Sequence, residues 1–130
     1  MKQQRGFTLV ELIVVIAILG ILAATAIPRF IDVSSNAKSA AADGLVGAIN
    51  GAVALCQAQW VAAGSDDPDC TMGGVSVTAA SGIPTTAGIT SALSTYSGFS
   101  YSAPNFTLDA DTNCTVQYAT TPPYATKSGC

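Results

Sequence analysis

Histidine is absent from all 130 residues. That single absence removes a Ser-His-Asp triad, a Cys-His nucleophile pair, His-ligated zinc and c-type haem attachment. Charge is also scarce. Lys, Arg, Asp and Glu make up 10% of the chain, and the balance is acidic, with a formal net charge of −3. A basic face, the electrostatic footprint of a nucleic-acid binder, is therefore missing. There is no C-x-x-C, no phosphate-cradling glycine loop and no nucleophile–base pair, so no catalytic residues, cofactor or metal are expected. The length suits one globular domain and no more.

What the chain has is hydrophobic residues, at 49%, concentrated at one end. Leu12–Ile27 reads LIVVIAILGILAATAI, sixteen residues without a charge, and extending back to Phe7 adds only Glu11. Phe7–Pro28 is 22 residues, about 33 Å of helix at roughly 1.5 Å per residue, enough to cross a hydrocarbon core of about 30 Å. The preceding residues Met1–Gly6 are polar and basic, as in the n-region of a signal peptide, and Ala24-Thr25-Ala26 offers a small-x-small cleavage site. Glu11 argues against a disposable leader. A carboxylate costs roughly 2.5–3.5 kcal/mol at a bilayer centre and less near the interface. A retained segment that later pairs Glu11 with a cation has a use for it.

Gly6-Phe7-Thr8-Leu9-Val10-Glu11, followed by the uncharged run and Pro28, resembles the class III signal of type IV pilins and pseudopilins. The resemblance covers about the first 32 residues. Pro28-Arg29-Phe30-Ile31-Asp32 and the two later cysteine pairs look most like mannose-sensitive haemagglutinin type pilins. The similarity implies cleavage after Gly6 by a prepilin peptidase and N-methylation of the new amino terminus at Phe7. Removing Lys2 and Arg5 takes five cations to three against eight acids, a side-chain balance of −5. The resemblance further implies that Glu11 meets the Phe7 amino group, on its own or a neighbouring chain, as an assembly register. It implies a homopolymer, single-pass residence in the inner membrane before assembly, and help from an assembly platform and an ATPase. The filament would then be extracellular.

Gly20 and Pro28 weaken the apolar helix, by about 1 kcal/mol against alanine for a glycine and by a lost N–H donor for a proline. Either Pro28 merely kinks a continuous helix, or Gly20–Pro28 loosens into an extended segment within a filament. Beyond it Ala41, Leu45, Ala48, Ile49, Ala52, Val53, Cys56 and Trp60 recur at helical steps. That stripe is expected to pack on the protein's own sheet. Gly44, Gly47 and Gly51 would permit close approach of another backbone.

Short strands are expected at Gly74–Ala79, Phe99–Ser102, Phe106–Leu108 and Cys114–Tyr118, with a helical turn at Thr90–Tyr96 capped by Thr90 or Ser91. The expected fold class is α+β, a pilin fold: a long N-terminal helix, Thr8 to about Ala63, whose C-terminal half packs on a small antiparallel sheet. Four parts are expected: a leader at 1–6, an apolar transmembrane and assembly helix at 7–30, an amphipathic half at 31–64 and a disulfide-stapled head at 65–130. Cys56, Cys70, Cys114 and Cys130 allow three pairings. The sequential one is expected, with Cys56–Cys70 tying the helix end to the next loop and Cys114–Cys130 anchoring the chain end. In pilins this last loop is typically exposed, which makes Thr115–Gly129 the expected outward surface.

Asp66, Asp67 and Asp69 read as a solvated loop. Asp109-Ala110-Asp111-Thr112-Asn113 matches only the first half of a calcium loop, lacking the glycine and the closing glutamate. Three function classes follow. The leading one is a structural subunit of an extracellular type IV pilus, serving adhesion to surfaces and biofilm formation. The others are a pseudopilin of a type II secretion system and a secreted, disulfide-bonded binding domain cut after Ala26.

Overall fold

In the computed structural model, residues 6–130 are described. Of the expected leader at 1–6, residues 1–5 lie outside them. Helix α1 runs Leu9–Ala62, 54 residues, without a break at Gly20 or Pro28. The chain divides into two compact units, one ending at Asn36 and the other Ala37–Cys130.

In the first unit, leucine, isoleucine, valine and alanine supply helix propensity but no internal partner. Phe7 is 94% exposed and Ile21 is 70% exposed, and the same holds for every other large apolar residue of this stretch. The one polar side chain deep in the run, Thr25, donates its hydroxyl to Leu22 O at 3.0 Å, so it can sit in an apolar medium with its hydrogen bond made. The helix is long and apolar enough to cross a membrane.

In the second unit α1 buries Ala42, Leu45, Ile49, Ala52, Val53 and Cys56, steps of three and four that trace one helical face. Ala41 and Ala48, expected on that face, are exposed, and Ala42 takes the inward position. The helix ends in a Schellman motif: Gly64 turns left-handed at φ +78°, Ser65 N–H donates to Trp60 O at 2.9 Å and Gly64 N–H to Val61 O at 3.1 Å.

Eight strands follow. β1 (Cys70–Met72) pairs with β2 (Val75–Val77), and β3 (Ala79–Ala80) with β4 (Ile83–Pro84). After the single-turn helix α2 (Ile89–Ala92) comes a four-stranded antiparallel sheet, β5 (Phe99–Ser102), β6 (Asn105–Leu108), β7 (Asp111–Tyr118) and β8 (Ala125–Ser128), in that spatial order. The inward residues Phe106, Leu108, Cys114, Val116, Tyr118 and Ala125 join the α1 stripe in one core.

Two expectations change. The run Gly74–Ala79 is not one strand. Thr78 O leaves the ladder and accepts from Thr85 N at 2.9 Å and Thr85 Oγ1 at 3.1 Å. Gly88 packs so closely there that a Cβ on it would lie 2.2 Å from Thr78 O. The helical turn therefore begins at Gly88, with no side-chain cap of its own. Thr85 does that work from outside, accepting Gly88 N–H on its hydroxyl at 3.0 Å. Strands β1, β4 and β8 carry no clear periodicity and arise from tertiary pairing. The outer edge of β1 is closed by Gln59 of α1, whose side-chain amide donates to Thr71 O and accepts from Thr71 N, both at 2.8 Å. A helix side chain thus stands where a neighbouring strand would, the kind of cover that keeps sheet edges from pairing with other chains.

Tyr118 is buried and donates its hydroxyl to Pro84 O at 2.6 Å, joining the large sheet to β4. Burial, with Tyr124 and Tyr101 nearby, pushes it up to about 12. The folded state keeps this proton where the unfolded chain, at about 10, has released it. Stability from Tyr118 is thus fully present below pH 10 and falls as pH rises towards 12. Denaturant titrations at pH 9 and 11 are expected to show that fall, and Tyr118→Phe is expected to diminish it. At neutral pH the variant should cost about 1 kcal/mol for the lost hydrogen bond.

Candidate functional site

The helix begins with a reciprocal pair. Thr8 is the N-cap: its carbonyl accepts Leu12 N–H at 3.3 Å and its hydroxyl accepts Glu11 N–H at 3.2 Å. Glu11 Oε2 reaches back and accepts from Thr8 N and from Thr8 Oγ1, both at 2.8 Å. This is a capping box, with two orphan donors of the first turn satisfied by one another's residues. The Thr-x-x-Glu spacing that announces it stands in the sequence beside the motif that led to Glu11. A carboxylate here also sits favourably at the positive end of the helix dipole. Both bonds fall on Oε2. Among the described residues Oε1 has no hydrogen-bond partner.

Gly6, Phe7 and Thr8 precede the helix, exposed and without regular structure. A Cβ at Gly6 or at Gly20 would meet nothing within 4 Å, and the same is true at Gly44, Gly47 and Gly51. Among the described residues, no contact requires glycine at those positions. In this chain Phe7 is joined to Gly6 by a peptide bond and so carries no free amino group.

In the second unit the sequential disulfides form, Cys56–Cys70 with an S–S distance of 2.01 Å and Cys114–Cys130 with 1.99 Å. The stretch Thr115–Gly129 is not uniformly outward: Val116, Tyr118 and Ala125 are core, and its exposed parts are Gln117, 120–123 and 126–129. Two ion pairs link the α1 part of this unit to its large sheet, Lys38–Asp111 at 2.9 Å and Lys127–Asp43 at 2.7 Å. The Lys38 ammonium, with Asn113 N–H, holds the Asp111 carboxyl below its usual range. Three further acids serve the loops. Asp69 accepts from Ala79 N at 2.9 Å, Asp67 from Asp69 N at 3.1 Å and Asp109 from Ser100 Oγ at 2.5 Å.

Residues 1–27 match the prokaryotic N-terminal methylation motif. The type IV narrow pilus major component of Thermus thermophilus is 46% identical over 55 residues, 42% of this chain and 47% of that protein. A fimbrial protein of Pseudomonas aeruginosa is 55% identical over 38 residues, 29% of this chain and 25% of that protein. The N-terminal region is similar to that of type IV pilins. The type IV major pilin protein of Myxococcus xanthus extends the likeness, 55% identical over 40 residues, 31% of this chain and 18% of that protein. The chain spans less than half the length of these curated relatives. No solved structure matches it. The methylation motif at residues 1–27 takes in the capping box and the first part of the apolar helix, and the fold of a long helix followed by small antiparallel sheets is α+β as expected.

Proposed function

We propose that this chain is the structural subunit of an extracellular type IV pilus, of the mannose-sensitive haemagglutinin type, and that the filament attaches cells to surfaces and seeds biofilm. The observation that carries the reading is the capped helix Leu9–Ala62, whose first unit exposes its large apolar side chains and bears the methylation motif. Such a surface is stable only in a membrane or against other chains. Before assembly the subunit stands in the inner membrane as a single span. A prepilin peptidase cuts after Gly6, where the chain is exposed and non-helical, and Phe7 is methylated. Copies then stack through their N-terminal helices with help from an assembly platform and an ATPase.

Glu11 has two successive partners in this scheme. Thr8 satisfies Oε2 from the outset, and Oε1 takes the Phe7 amino group once cleavage exposes it. Gly20–Pro28 is helical in the single chain and is the segment that would extend in the polymer. Electron microscopy of the sheared surface fraction tests the reading: long filaments containing this chain are expected, and they should vanish on its deletion. Short stubs retained between the membranes would instead favour the secretion pseudopilin, and a soluble monomer the secreted domain.

A further inference from the structure

Arg29 stands apart from the other cations among the described residues. Lys38 and Lys127 are each tied to a carboxylate of their own unit. Arg29 is exposed and, among the described residues, enters no ion pair, although Asp32 lies three residues on. Its place is set by the apolar run. Sixteen uncharged residues, Leu12–Ile27, separate the neighbourhood of Arg29 from Glu11. Glu11 to Arg29 is about 27 Å of helix at 1.5 Å per residue, against a hydrocarbon core of about 30 Å. The two charges bracket one membrane thickness, and they differ in kind. The carboxylate already accepts two bonds from Thr8. The guanidinium offers five N–H donors, with no acceptor supplied by its own chain among the described residues. An arginine at the end of an apolar span can lay its methylene stem along the hydrocarbon and carry its head to the interface. Phe30 beside it is 75% exposed.

We propose that Arg29 is a headgroup anchor: its guanidinium binds the phosphate of a phospholipid at the membrane face opposite Glu11 and fixes the height of the helix before assembly. The proposal rests on the membrane-spanning precursor proposed above. The planar fork suits two phosphate oxygens at once. Height matters because Glu11 must present its free oxygen to an amino group at a fixed level.

The test uses the full chain in vesicles of phosphatidylethanolamine and phosphatidylglycerol, at high dilution in lipid, with cysteine replacing one residue at a time from Leu22 to Pro28 and from Phe30 to Val33. All four native cysteines are disulfide-bonded, so only the added thiol meets a membrane-impermeant maleimide. The boundary between protected and reactive positions is expected within a turn of Arg29. Arg29→Gln should move it by about one turn, roughly 3.6 residues, and Arg29→Lys should largely restore it. An unmoved boundary in Arg29→Gln would overturn the anchor and leave the span standing. Reactivity throughout residues 22–27 of the unaltered chain would overturn both. A shift seen only in vesicles crowded with protein would assign Arg29 to a second copy and overturn the lipid assignment.

Discussion

Replacing Cys56 and Cys70 together by alanine is expected to lower the melting temperature of the full chain in detergent by roughly 12–24 °C. The bridge closes a sequence separation of 14, worth about 3 kcal/mol in the chain-entropy model. In a unit of this size each kcal/mol moves the midpoint by about 4–8 °C. The bridge also lies where the structure has least to spare. Cys56 is the last buried residue of the α1 stripe, Cys70 opens β1, and both sulfurs are in the core. One turn further along, Gln59 holds the edge of β1 through two hydrogen bonds, so losing the bridge loosens the strand that Gln59 must meet. The corresponding change at Cys114 and Cys130 should cost less, because Cys130 is exposed and its half of the bridge buries little. The single tryptophan, Trp60, sits on the last turns of α1 and gives the signal. Equal midpoints for the unaltered chain and the Cys56 and Cys70 double variant would refute the assignment.

Glu11→Ala is expected to leave membrane insertion intact and to reduce filaments by at least about a hundredfold. Insertion should not suffer, since a carboxylate leaves the apolar span. Assembly should, because the partner amino group would be buried alone, a cost of about 3–5 kcal/mol per contact, with each 1.4 kcal/mol a factor of ten. The capping box offers a competing explanation, which Thr8→Ala isolates. That variant removes the N-cap, worth about 1 kcal/mol, and keeps the charge. Filament yield should therefore fall much less in Thr8→Ala than in Glu11→Ala. Equal losses in the two would reduce Glu11 to a helix cap. Normal yield in Glu11→Ala would remove it from assembly altogether.

Much of this is legible in the sequence alone. The uncharged run and, beyond it, the spacing of three and four make the long helix readable almost to the residue, and the structure adds its start at Thr8 and its stop at Gly64. β5 and the heart of β7 alternate cleanly and sit where alternation put them. The illegible parts depend on contacts far apart in sequence. The break at Thr78 follows from Gly88, ten residues away, and β8 is a strand only because β7 offers it a ladder. The site was legible in its residues and less so in its bonds. Glu11 is conspicuous as a charge in an apolar run, and its simpler relation to Thr8, three residues earlier, is the less visible one. Nothing in local pattern could reveal that Gly20, Gly44, Gly47 and Gly51 face open space, because that depends on where every other segment goes.

The central claim is that the apolar helix outlives export and stays on the mature protein. Intact mass and N-terminal peptide mass spectrometry of the chain recovered from cells tests it most directly. A mature chain beginning at Phe7, heavier by one methyl group at its amino terminus, is the expected result. A mature chain beginning at Ile27 would contradict it, for the helix would then have been discarded with the leader.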